Sequence, residues 1–300
     1  MRTKHFFLTL ATFMFASLWL QAENVEKEYI EKPKSNWTFK LTTRYDWMQM
    51  NMRGDAFQAS LRSQPRIKQG FSVSFKGFTL GGSFTLGEKP KNSWAISMHS
   101  YGSKFCSSLD FIRDRTFTGT MTFDDVPWEF SKGDVTHTSL NYDAWYIFSG
   151  KKFSFPAVFN QNRIQKHSAG SFLLSASYKG NWNRFQVGPL DRLTGHTLGF
   201  GGGYGFNLVA GPFLFHASLI GNMLVMDTTR YILRENNEKV KVKYGFPSFT
   251  ATANVGILFN FKRFFTGIMV SGYDCTVGNK AQVRMDFLRF YSSFVIGIRL

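Results

Sequence analysis

The chain has 300 residues, 34 of them Phe, with aromatic residues at 17%, charged residues at 19% and a formal net charge of +16. So few charges, below the roughly 25% of an ordinary soluble domain, beside so many aromatics exclude a disordered chain. Two Cys exclude a disulfide scaffold, and 8 Pro against 27 Gly without a three-residue period exclude collagen-like and Pro-rich linker architectures.

Arg2, Lys4 and His5 precede an apolar run from Phe6 to Leu20, and Gln21-Ala22 then meet the acidic Glu23. That order predicts a secretory signal peptide over residues 1–22, because an apolar run of about 15 residues is short of the roughly 20 a spanning helix needs. Residues 23–36 read as a periplasmic lead-in, and 37–300 as one domain.

From Trp37, the residues Trp37, Phe39, Leu41, Tyr45 and Trp47 alternate with Thr38, Lys40, Thr42, Arg44 and Asp46. A period of two gives a strand with one apolar and one polar face. Similar segments recur at 37–49, 68–76, 78–86, 94–101, 105–116, 137–149, 169–180, 195–210, 213–226, 247–261, 264–275 and 285–300. Several run to 12–16 residues, whereas soluble strands centre near 5–6 and a tilted membrane strand needs about 9–11.

The turns test the register independently. A two-residue hairpin leaves its flanking residues on one face. Phe75 and Phe78 flank Lys76-Gly77, Ala210 and Phe213 flank Gly211-Pro212, and Phe261 and Phe264 flank Lys262-Arg263, each preserving the apolar face. An even number of strands closes an antiparallel ring, with long loops outside and short turns inside. The expected fold is therefore all-β: a transmembrane antiparallel outer-membrane β-barrel of about twelve strands, within 10–14. One connection, 150–168, is long where an inner turn should be short.

That connection lies in YIFSGKKFSFPAVFNQNRIQKHSAGSFLL, and WAISMHSYGSKFCSSLDFIRDRTFTG precedes it. With these segments the chain resembles an uncharacterised family of exported barrel-like proteins of Bacteroidetes, domain of unknown function 4421. The resemblance implies a Gram-negative outer-membrane barrel and brings no catalytic residue. The last strand also resembles the terminal signal read by the barrel-assembly machinery, though Leu300 stands where an aromatic residue is usual.

Basic residues recur on the expected inward face at Lys40, Arg44, Arg66, Lys68, Lys76, Lys179, Arg289 and Arg299. They suit a cationic lumen that prefers anions, or else structural pairs with Asp46, Asp143 and loop acids. Basic outer loops suit anionic lipid head groups as an alternative. His137, Ser139, Asn141 and Asp143 share one inward face, which a Ser hydrolase would need; one polar strand face also produces such a set by default. Asp124-Asp125 fits a Ca²⁺ or carboxylate-pair feature or a solvated acidic loop. Cys106 and Cys275 match no metal spacing, and whether they pair is open. Gly199, Gly201, Gly203 and Gly205 leave one inward face bare, but GFGGGYGF lacks the spacing of a nucleotide loop. The bare face either relieves crowding or makes room for a plug, for which Phe153, Phe155, Pro156 and Phe159 of the long connection are the natural candidates.

The function expected from these features is a narrow, porin-like channel or small-solute transporter in the cell outer membrane, anion-preferring where the lumen cations stay unpaired. The alternatives are a barrel displaying ligand-, lipid- or partner-binding loops, and an enzyme acting on lipid or peptide. No cofactor, metal or nucleic-acid partner is expected; membrane lipid and the assembly machinery are the expected partners. The solute, the openness of the lumen and the oligomeric state are not readable.

Overall fold

The computed structural model describes residues 25–34, 36–54, 57–86, 93–279 and 283–300. The expected signal peptide, 1–22, lies outside the described residues. Twelve long strands form the wall: β1 (Trp37–Gly54), β2 (Arg66–Phe75), β3 (Phe78–Thr85), β4 (Ser93–Tyr101), β5 (Phe105–Asp114), β6 (Val135–Ile147), β7 (Ala169–Phe185), β8 (Leu190–Ala210), β9 (Phe213–Asp227), β10 (Phe249–Phe261), β11 (Phe264–Asn279) and β12 (Val283–Arg299). Each pairs antiparallel with the next. β12 pairs with β1 from Val283↔Gly54 to Arg299↔Thr38, so the sheet closes into a barrel with no free edge.

The register follows the alternation. Leu41, Tyr45, Phe71, Phe172, Leu174, Phe200, Leu219, Val255, Ile257, Phe294 and Ile296 face outward and are exposed, while Thr38, Ser72, Ser74, Ser175, Ser177, Asn254 and Ser271 face the interior. The short turns preserve it: Phe75 pairs with Phe78, Ala210 with Phe213 and Phe261 with Phe264. Lys76, Gly77, Gly211 and Lys262 take the positive φ that such tight turns demand. These turns lie at one rim, the inner one in the expected orientation, and the long connections other than 150–168 leave the other.

The outer end departs from expectation. β1 continues to Gly54, β7 to Phe185 and β8 begins at Leu190, so the outer links are shorter than the alternation implies. Links 50–67 and 117–136 contain strands of their own, Phe57–Ser63, Phe117–Phe123 and Val126–Phe130, which pair with one another. Asp124 and Asp125, both at positive φ, form the exposed two-residue turn of this hairpin rather than an acidic loop. Arg230–Leu233 and Lys239–Lys241 make a further outer hairpin. The reason is physical: above the lipid an outward residue need not be apolar, so Arg53, Arg184 and Arg192 interrupt the hydropathy signal while the backbone ladder runs on.

Candidate functional site

The lumen has three layers of different chemistry. At the inner end lies the long connection between β6 and β7. It turns back at Ser149 and Lys152, forms one helical turn, α1 (Pro156–Phe159), and ends in the two-residue strand Ile164–Gln165. Pro156 opens the helix, where its missing N–H costs nothing. Residues Ile30–Glu31 pair antiparallel with Ile164–Gln165, so the segment ahead of the barrel is docked onto this insertion.

Phe153 and Phe155 are buried within the barrel mouth, with Ala157 and Val158 beside them. Phe155 stacks on Trp145 of β6 at 6.1 Å, and Phe159 stacks on Tyr101 of β4 at 6.0 Å. Ala157 and Val158 pack against Leu214, Leu258 and Met269 on β9, β10 and β11. Polar bonds complete the circuit. Lys40 donates to Phe159 O at 2.9 Å, Asn160 Nδ2 to Gly77 O at 3.2 Å, and Asn207 Nδ2 to Ser154 O at 3.0 Å and Gln165 Oε1 at 3.1 Å. Arg299 donates through Nε to Gln161 O and through Nη2 to Gln161 Oε1, both at 2.7 Å. The insertion thus touches nearly every strand of the ring.

Two features hold it in register. His216 lies 5.5–6.4 Å from the rings of Phe153, Phe155 and Phe159. Because the Asn207 amide already donates to the insertion, its Oδ1 accepts from His216 Nδ1 at 2.8 Å, and His216 Nε2 then accepts from Ser218 Oγ at 3.1 Å. Gly205 is the second. A Cβ there would lie 2.8 Å from Phe153 Cζ, so the bare position admits the ring. At Gly201 and Gly203 a Cβ would instead strike the carbonyls of Gly221 and Leu219 on β9, so those glycines serve the close approach of two strands. The bare face therefore does both jobs, at different positions.

The middle layer is charged. Asp46 accepts from Lys68 at 2.6 Å and from Arg289 at 3.1–3.2 Å, and Lys179 donates to Asp143 at 2.6 Å. Asp110 accepts from Ser108 at 2.9 Å and lies 3.5 Å from His99 Nε2. The Arg44 guanidinium lies over the Tyr291 ring at 4.5 Å and, among the described residues, has no carboxylate partner. Adjoining cavities of about 240 Å³ and about 150 Å³ share Asp110, Asp143, Arg289 and Tyr291 as walls. Arg66 pairs with Asp114 nearer the outer end.

The outer layer is apolar, which a polar lumen does not lead one to expect. Met48, Met50 and Met52 of β1 continue the inward face of Arg44 and Asp46, and they pack with Leu61, Met121, Leu193, Val277 and Met285. The signal was present as a stripe of methionines at inward positions.

Of the expected lumen cations, Lys40, Arg44, Lys179 and Arg299 face the interior. Lys76 does not: β2 ends at Phe75, Lys76 becomes the first turn residue, and its ammonium rests 5.4 Å from the outward Phe75 ring. The expected His137 and Ser139 do not meet: His137 Nδ1 lies 2.7 Å from Asn183 Oδ1, and Ser139 Oγ accepts from Asn141 Nδ2 at 3.4 Å. Cys106, near the inner end of β5, and Cys275, in the outer part of β11, are both buried and free. Sequence reasoning missed Asn160, Gln161, Gln165, Asn207 and His216, none of which carries a motif.

Among known structures, the chain is similar to the outer membrane protease OmpT from Escherichia coli, at 6% identity and a TM-score of 0.46 over 89% of this chain and 97% of that one. It is similar to the translocator domain of the autotransporter NalP from Neisseria meningitidis, at 11% identity and 0.45 over 100% and 98%. It is also similar to the Pseudomonas putida toluene transporter TodX, at 8% identity and 0.36 over 89% and 90%. Likeness at this level carries nothing about what the chain does. No curated protein matches it. The model of one family, described only as a domain of unknown function, matches residues 24–295, and the chain belongs to that family, DUF4421.

Proposed function

We propose that this barrel spans the outer membrane as a normally closed conduit for small solutes with a preference for anions. One observation carries the reading: between the inner insertion and the outer apolar layer lie adjoining cavities lined by Lys40, Arg44, Lys179 and Arg289 against Asp110 and Asp143, and among the described residues Arg44 has no carboxylate to neutralise it. A cationic excess inside a low-dielectric wall raises the local concentration of anions. Residues 150–168 act as the inner gate on this reading, Phe153, Phe155, Pro156 and Phe159 forming its apolar body and Arg299, Asn207 and Lys40 its polar attachments.

The test is reconstitution into planar bilayers under a salt gradient. The wild-type protein should be closed most of the time, and a variant lacking 155–165 should show larger currents with a reversal potential on the anion-selective side. Unchanged currents from a correctly folded deletion would reject the gate, and cation selectivity would reject the anion preference.

A further inference from the structure

Outside the lumen, above the apolar band, the outward face of β5 to β8 gathers a cluster of basic residues. On β7 the outward positions read Phe172, Leu174, Ala176, Tyr178, Gly180 and Trp182, and then Arg184. Ten residues from Phe172 to Trp182, at about 3.3 Å each and a tilt of about 40°, rise roughly 25 Å, the height of the apolar band of such barrels. Trp182 therefore marks the interface and Arg184 stands one outward position above it, at the level of lipid head groups.

Arg192 is directly opposite Arg184 on β8, and Arg113 of β5 shares a row with Trp182 through Thr138. Arg230 and Lys239 of the outer hairpin continue the patch, and with these residues the surface forms a basin of about 550 Å³. Directly opposed like charges destabilise a sheet pair, so the Arg184–Arg192 pair is unfavourable by itself. Little on the chain relieves it. Arg192 touches Asp191 at 3.0 Å and Arg230 donates to Thr194 at 3.0 Å, but Arg113, Arg184 and Lys239 have no carboxylate partner among the described residues.

We propose that this basin binds the phosphate groups of a phosphorylated glycolipid in the outer leaflet. Guanidinium groups converging from three strands suit an anion with several oxygens and more than one charge, and they form bidentate bonds to phosphate. The height above the apolar band selects a lipid as the bearer, because lipid phosphates sit at that level.

The test uses the full-length protein purified in a neutral detergent, titrated with bis-phosphorylated lipid A, with the same lipid after phosphate removal, and with inorganic pyrophosphate, read by native mass spectrometry and by the shift in melting temperature. Wild type should bind the bis-phosphorylated lipid at least tenfold more tightly than either comparator. R184Q/R192Q should lose at least tenfold in affinity for it and yet, free of ligand, melt no lower than wild type, because the opposed charges are gone. R113Q, on a different strand, gives a second reading if the double variant does not fold, and should also weaken binding. Equal affinity of wild type and folded variants, or equal affinity for the dephosphorylated lipid, would overturn the site. Pyrophosphate binding as tightly as the lipid would overturn the lipid as its occupant.

Discussion

Replacing Arg299 by Met tests whether the inner insertion is a gate. Arg299 is 2% exposed, and its guanidinium reaches Gln161 O and Gln161 Oε1 on the insertion, besides Asn260 Oδ1 on β10 at 2.6 Å. Hydrogen bonds from a charged donor contribute about 1.5–3 kcal/mol each, so two of them hold the insertion by about 3–6 kcal/mol. The guanidinium must also be stripped of water when the insertion docks, a cost that Met lacks, which moves the net loss to the lower end, about 3 kcal/mol. Met keeps a flexible stem against Phe265, the ring that the guanidinium covers at 4.8 Å, so the wall itself is little disturbed. At about 1.4 kcal/mol per factor of ten, the open fraction should rise roughly a hundredfold. F155A, which empties a buried ring site, should act at least as strongly, since Phe-to-Ala truncation in a packed core costs about 3–5 kcal/mol. Single-channel recording in planar bilayers measures the open fraction directly. An R299M protein that folds normally and shows the wild-type open fraction would refute the argument, because its loss of bonds to Gln161 would then have no bearing on closure.

Other predictions follow from the faces and charges of the wall. Arg at Val255 or Ile257, both outward, should cost roughly 2–4 kcal/mol near the midplane, and Arg at Thr252 or Asn254, which face the lumen, much less; refolding into lipid against urea compares them, and equal costs would reverse the face assignment. Tags in 117–136 or 227–246 should be reached from outside intact cells and a tag at Gly211-Pro212 should not, with surface labelling at Gly211 alone inverting the orientation. R44Q should shift the reversal potential of the 155–165 deletion variant toward zero without changing its melting temperature, as Arg44 lacks an ion-pair partner among the described residues. D46N should destabilise by about 3–5 kcal/mol in denaturant titration, because it leaves buried Lys68 and nearby Arg289 without their shared carboxylate.

The wall was legible because each of its constraints is local. Alternation, strand length and the pairs Phe75↔Phe78, Ala210↔Phe213 and Phe261↔Phe264 all follow from residues a few positions apart. What lies outside lipid was less so: Arg184 and Arg192 break the apolar rhythm that marks a strand, although the ladder continues through both. The insertion announced itself only by length and by Phe153, Phe155 and Phe159 standing where a short polar turn was required. Its attachments were hidden, since Arg299 and Gln161 meet across 138 positions and no spacing rule links a lumen arginine to a backbone carbonyl. Lys76 shows the limit of parity alone, which assigns a face to a residue that the turn has already taken off the strand.

On the conduit reading, the two closures must yield in different ways. The inner one rests on directional bonds from Asn207, Asn160, Lys40 and Arg299 to fixed acceptors, and no one of these can lengthen far without being lost. Its release is therefore close to all-or-none. The outer one is built from Met48, Met50, Met52, Met121 and Met285, unbranched side chains whose contacts are weak, numerous and tolerant of rearrangement. They can re-pack around an entering solute while keeping most of their contacts. A solute arriving from outside would then reach the charged chamber before the insertion moves, and an anion held by Arg44 and its neighbours would sit directly above Phe155 and Phe159, which line the same cavity. Coupling between occupancy and opening has a direct route here, because Lys40 both lines the chamber and bonds the insertion at Phe159 O, and Phe155, Phe159 and Gln161 of the insertion line the same chamber.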